Sequence, residues 1–271
     1  MRMKVRAYGK LNLSLAINGK RGNMHLLDSI ATTVSAYDEL EVEESENISV
    51  SFDCEGISPT QNTAYKTALL VRELCGKSLT VSVKKRLPIG GGMGGSSADA
   101  VGVLYASEKL FGINAREIAP KIGSDVLFML GGGTAIISGV GDQVTPIKNN
   151  ANFSALIVDC GFVSTADCYK IYDSFGGVNA RPSTLLANKL ALGALPDDLL
   201  ENDLLHGALT LNPRIKEVMD ILSAHAKPHL TGSGGCVFAL NCKDKALIAL
   251  LKSKGFDCYE VNYHPVGVEE I

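Results

Sequence analysis

The chain contains no tryptophan, and aromatic residues make up only 6% of its 271 positions, so aliphatic side chains must build its core. It also lacks an excess of basic charge. Lys and Arg number 26 against 29 Asp and Glu, a formal net charge of −3 with the signs interspersed. That balance argues against a broad nucleic-acid surface or a polybasic membrane patch, so neither nucleic acid nor membrane is expected as a partner. No apolar run reaches the ~20 residues of a membrane span. The opening Met1-Arg-Met-Lys-Val-Arg6 is too short and too alternating for a signal peptide, and a cytoplasmic protein is expected. Seven cysteines, at 54, 75, 160, 168, 236, 242 and 258, form no C-x-x-C, and the five histidines do not pair with them at zinc spacing. Reduced, mostly buried thiols are expected rather than a disulfide frame or a metal centre.

Glycine, by contrast, is concentrated. Between Leu87 and Ala100, five of the six positions 90–95 are glycine, residues that bring no side chain to a core and lose the most backbone entropy on folding. They serve shape. A β-rich run, 79–85, leads in and helix formers from Ala98 to Leu110 lead out. The order strand, glycine loop, helix bares backbone N–H groups at a positive helix end, which is an anion site and most often a phosphate site. No Gly-Lys-Ser/Thr follows, so the loop is not a P-loop. Gly90, Gly92 and Gly95 fit G-x-G-x-x-G, but residues 113–122 read as loop and helix where that fingerprint needs a second strand and an acidic residue, so a dinucleotide-dependent oxidoreductase is a rival only.

Residues 5–17 alternate as a strand, with Leu11, Leu13, Leu15 and Ile17 on one face and Lys10, Asn12 and Ser14 on the other, which by periodicity is a solvated face. Residues 38–44 and 48–54 read as paired strands, and Asn62-Thr63 opens a helix through Leu74 with Thr63 as its cap. Ser96-x-x-Asp99 has the form of a capping box, and Asp125 reads equally well as a helix cap or a functional carboxylate. Residues 131–142 form a hairpin. From Phe153 the pattern restarts with a buried strand at 155–159, a helix from 162–165 onward carrying Tyr169 and Tyr172, and helices at 183–192, 199–209, 213–226 and 243–254. This is an α+β chain of two domains, 1–150 and 151–271.

Several of these stretches carry a family resemblance. Pro88, Gly90, Gly92, Gly94, Ser96 and Ser97 resemble P-x-G-x-G-x-G-x-S-S/A, the ATP loop of the GHMP small-molecule kinases. Residues 9–15 and 19–25 resemble A-K-I/L-N-L-x-L and G-x-R-x-D-G-Y-H of the branch that phosphorylates a cytidine diphosphate-linked methylerythritol, with one turn residue missing and Met24 in place of tyrosine. Gly123-Ser-Asp-Val-Leu-Phe128 is similar to L-G-A/S-D-V-P-F, with Leu127 for proline; Asn202-Asp203 to N-D-L/F; and Leu230 to Phe238 to M-S/T-G-S/T-G-x-x-x-F.

The resemblance implies a two-domain GHMP kinase fold, with a ribosomal protein S5 domain 2-like N-terminal domain, a ferredoxin-like C-terminal domain and the active site in the cleft between them. ATP is the implied phosphoryl donor, accompanied by Mg²⁺, and the acceptor is the 2-hydroxyl of the cytidyl substrate, a step of the non-mevalonate route to isoprenoids. Lys10 and Asp125 are the implied catalytic pair, Asp125 as base. Asn62 and Lys85 would line the adenine pocket; Pro88, Gly90, Gly91, Gly92, Met93, Gly94, Gly95, Ser96 and Ser97 would cradle the phosphates; Ser97 and Asp99 would hold the metal. Asn12, Met24, His25, one of Tyr169 and Tyr172, and the backbone at Gly232 and Gly234 would meet the substrate. A monomer or homodimer is expected. A GHMP kinase for mevalonate or homoserine, and a non-catalytic nucleotide-binding member, remain as alternatives.

Overall fold

The computed structural model describes residues 1–175 and 182–271. The chain runs β1 (Arg2–Arg21), β2 (Met24–Ser45), β3 (Ser49–Phe52), α1 (Thr63–Cys75), β4 (Ser78–Lys84), α2 (Gly95–Phe111), α3 (Ala115–Ile118), α4 (Val126–Gly131), β5 (Thr134–Gly139) and β6 (Gln143–Pro146). It continues through β7 (Ser154–Asp159), α5 (Thr165–Phe175), α6 (Ser183–Ala191), α7 (Leu205–Leu211), α8 (Pro213–Leu222), β8 (Pro228–Thr231), β9 (Cys236–Leu240), α9 (Lys245–Ser253), β10 (Asp257–Asn262) and β11 (Val268–Glu270). The α+β expectation holds. Among the described residues no helix is long and apolar enough to cross a membrane.

β1 and β2 form one long hairpin whose register shifts near Tyr8, Asn12 and Ile17, irregularities of the kind that bend a ribbon and re-aim its side chains. One edge of β2 serves two neighbours: residues 27–32 pair with β5 and residues 39–45 with β4. The expected direct pairing of 38–44 with 48–54 does not form. β4 inserts between them, and β3 lies parallel to β4. The second sheet is antiparallel, in the order β10-β7-β9-β8. It begins after residue 150, but the chain's last strand, β11, returns to pair with β1 in the first sheet.

Alternation along β7 explains why its middle, Ala155 to Val158, is apolar on both faces. Ala155 and Ile157 join the core of the first sheet, while Leu156 and Val158 join a second core with Ile215 and Val218 of α8 and Leu247 and Leu251 of α9. A strand covered on both faces has no polar face to show. β1 links the two cores as well, contributing Leu11 and Leu13 to the first and Leu15 and Ile17 to the second. The same double cover corrects the solvated-face expectation for its other side, since Lys10, Asn12 and Ser14 are buried.

Two helix starts also differ from expectation. Asn62, not Thr63, caps α1, its side chain accepting from the Tyr65 N–H. The capping box at Ser96 and Asp99 does not form, because α2 starts two residues earlier than that box requires, behind Gly94, with no side-chain cap, and Asp99 turns to Lys85 instead.

Candidate active site

Gly94 takes a positive φ of 75° and starts α2 without any side-chain acceptor for the first N–H groups, so those donors are left for a ligand. The loop before it packs too closely for side chains. A Cβ on Gly92, where φ is +78°, would lie 2.5 Å from the Thr231 carbonyl oxygen and 2.8 Å from that of Gly234. The two glycine turns singled out in the sequence therefore lie backbone to backbone. The Lys10 N–H donates to the Met93 carbonyl at 2.9 Å, tying the loop to β1.

These elements surround one cavity of about 1000 Å³. Lys10 and Asp125 meet in it, Nζ to Oδ2, at 3.6 Å. Lys10 is nearly buried and Asp125 is 40% exposed at the start of α4, where its carboxylate caps nothing. Of its two sequence readings, helix capping is thus corrected by the structure. Asn12 orients the lysine: its Oδ1 accepts from Lys10 Nζ at 2.5 Å, its Nδ2 donates to Ser29 at 2.9 Å, and its own N–H donates to the Thr231 hydroxyl at 3.0 Å. Both ends of that amide are committed inside the protein.

Lys85 is more tightly held. Its ammonium donates to Asp38 Oδ2 at 2.5 Å and to both oxygens of Asp99 at 3.0 and 3.2 Å, all three side chains being buried. Asp38 Oδ1 also accepts from the N–H groups of Arg86 and Leu87 at 2.6 and 2.9 Å, which fixes the approach to the glycine loop. Burial, assisted by the charge of Asp38 and opposed by Lys85, pushes the Asp99 carboxyl up to about 7. For Lys85 burial pulls down, but Asp99 and Asp38 reverse it and the net direction is up.

The expected metal ligands therefore do not fit as a pair. A magnesium site draws on one or two carboxylates beside substrate phosphates, and here Asp99 is already bonded to Lys85, leaving the Ser97 hydroxyl alone. No group of three or more acidic, His or Cys side chains among the described residues is arranged to hold a metal ion.

At the other end of the cavity, the ring of His25 stacks on Tyr169 at 4.6 Å between centroids, and Met24 stands exposed at the rim. Burial, and then the charge of Asp125, pushes the Tyr169 hydroxyl up to about 12. Asn62, Lys85, Pro88, Gly90, Gly91, Gly92, Gly94, Gly95, Ser96, Ser97, Asp99 and Gly232 line the same cavity. Met93, Tyr172 and Gly234 do not: Met93 is buried behind the loop, Gly234 packs on Gly92, and the Tyr172 hydroxyl donates to the Ile17 carbonyl.

Three lining or supporting residues were not anticipated. Phe162, 71% exposed, lies against Gly90 at the rim; Asp38 supports the loop from below; Asp173 bonds His25 and Lys20. Only Asp173 left a trace in the sequence. Thr165, Tyr169 and Asp173 are spaced four apart and share one face of α5.

Residues 62–144 match the GHMP kinases N terminal domain family. The chain is 38% identical over 183 residues to the 4-diphosphocytidyl-2-C-methyl-D-erythritol kinase of Clostridium perfringens, an alignment spanning 63% of this chain and 64% of that protein. It is 34% identical over 258 residues to the kinase of the same name from Clostridium beijerinckii, covering 88% of this chain and 90% of that one. Among solved structures, a 4-(cytidine 5'-diphospho)-2C-methyl-D-erythritol kinase superposes with a TM-score of 0.79 at 27% identity, covering 96% of this chain and 98% of the other.

Proposed function

We propose a reaction from the premise that this chain belongs to the 4-diphosphocytidyl-2-C-methyl-D-erythritol kinase family of GHMP kinases: it transfers the γ-phosphoryl group of ATP to the 2-hydroxyl of that cytidyl alcohol, giving ADP and the 2-phosphate. The observation that carries this reading is the meeting of Lys10 and Asp125 at 3.6 Å in the cavity that the uncapped start of α2 opens into.

Phosphoryl transfer asks a protein chiefly to position groups and balance charge. The N–H groups at the start of α2 and the Ser96 and Ser97 hydroxyls receive the phosphates of ATP. Asp125, partly exposed and free of capping bonds, accepts the proton of the acceptor hydroxyl as its oxygen attacks. Lys10, aimed by Asn12, offsets the charge that builds on the transferring oxygens. His25, Met24 and Tyr169 take the cytosine, and Asn62 and Lys85 border the adenine. Were Mg²⁺ to accompany the triphosphate, it would offset phosphate charge, and Ser97 would be the one expected ligand whose oxygen is not already paired with Lys85. The protein works in the cytoplasm.

Release of ADP against a panel of alcohols tests the reading. Turnover is expected with the cytidyl substrate and not with mevalonate or homoserine. ADP release with either of those instead, or ATP binding without turnover of any alcohol, would overturn it.

A further inference from the structure

Asp173 reaches from α5 to the tip of the β1–β2 hairpin and holds two groups there. Its Oδ2 accepts from Lys20 Nζ at 2.7 Å, and its Oδ1 lies 2.7 Å from His25 Nε2. Those hydrogen bonds, to Lys20 first and then to His25, hold the Asp173 carboxyl below the ordinary carboxylate range. An ionised carboxylate only accepts, so Nε2 must carry the hydrogen, and in the neutral ring Nδ1 is left with its lone pair. Tyr169 stacks on the ring face and Tyr172 meets it edge-on at 6.0 Å, so the ring's plane is fixed as well as its tautomer. Nδ1 has no hydrogen-bond partner among the described residues, and His25 lines the cavity.

We propose that Asp173 is a specificity-determining, positioning residue: by fixing His25 as the Nε2–H tautomer, it makes Nδ1 an acceptor for the exocyclic amino group of the pyrimidine. This rests on the cytidyl substrate proposed above. A 4-amino group donates to that lone pair, whereas the 4-keto oxygen of uracil opposes it with lone pairs of its own. Lys20 holds the carboxylate in place from its other side.

The ring ¹⁵N shifts of His25 in the full chain test the tautomer directly. A protonated Nε2 and a bare Nδ1 are expected in the wild type, and a mixture in Asp173→Ala. The ratio of kcat/KM for the cytidyl substrate over its uridyl analogue should fall about tenfold in Asp173→Ala, through KM for the cytidyl substrate, with KM for ATP within about twofold of wild type. A wild-type His25 protonated on Nδ1, or an unchanged ratio in the variant, would overturn the proposal. Should Asp173→Ala fail to fold, the wild-type spectrum decides alone. Absence of any turnover of the cytidyl substrate by the wild type strikes the proposed reaction instead, and the tautomer measurement still judges this one.

Discussion

Lys10 lies against Gly94 and Lys85 against Gly95, so two lysines flank neighbouring residues of one loop, and each faces aspartate. Lys85 is saturated: two buried carboxylates take its hydrogens at 2.5 to 3.2 Å, and one of them also holds two backbone N–H groups. Lys10 has one short bond, to an amide, and its carboxylate stands off at 3.6 Å with a part-exposed, uncapped Asp125. A buried, fully bonded cluster resists any change of partner, because breaking it strands a charge in low dielectric. An open pair has coordination to spare for an incoming hydroxyl. The difference separates a brace from the pair proposed to carry the chemistry.

The largest expected break of that contrast is Asp125→Asn, which should lower kcat by about 10²- to 10⁴-fold while leaving the unfolding midpoint near that of wild type. Unchanged turnover by ADP release would remove the base assignment. Lys10→Met should follow it, again through kcat; a change in KM alone would reduce Lys10 to a binding role. Lys85→Met should do the opposite, costing about 4 kcal/mol in urea unfolding because Asp38 and Asp99 then share a buried site without a cation.

Acidity sharpens the same comparison. Asp99 is pushed up from 3.8 to about 7, so between those values the folded chain keeps a proton that the unfolded chain has lost, and stability falls as pH rises through that window. Asp99→Asn cannot exchange that proton. The unfolding free energy of wild type relative to Asp99→Asn should therefore drop between pH 4.5 and 6.5, by no more than about 3 kcal/mol at 1.36 kcal/mol per pH unit; a difference that is flat with pH would show that Asp99 stays ionised throughout. The smallest effect is expected at the rim, where Met24→Tyr should lower KM for the cytidyl substrate about threefold by adding an aromatic face. No change in KM would mean that the base does not rest on position 24.

Much of the architecture was legible because its causes are local. The glycine run announced a loop before a helix, and the alternation from Val5 to Ile17 and at 155–159 announced strands. The errors have one origin. Lys10 and Asn12 read as a wet face because period 2 separates two faces of a strand but cannot say that both are covered. Residues 48–54 read as the partner of 38–44 because they are neighbours in the chain, whereas β4 takes the place between them. Ser96-x-x-Asp99 has the letters of a capping box, but Lys85 offers Asp99 a full charge where the helix end offers a partial one.

The site divides in the same way. Residue types and their spacing determined that there would be a glycine loop of bare N–H groups before a helix, a later helix carrying Tyr169 and Tyr172, and a second glycine turn before a buried strand. Tertiary structure alone decided that Lys10 would face Asp125, over a hundred positions away, that Lys85 would be shared by Asp38 and Asp99, and that Asp173 would reach His25. A charged side chain takes whichever opposite charge the packed strands and helices bring within a few ångströms, and sequence periodicity assigns it a face without naming its neighbour.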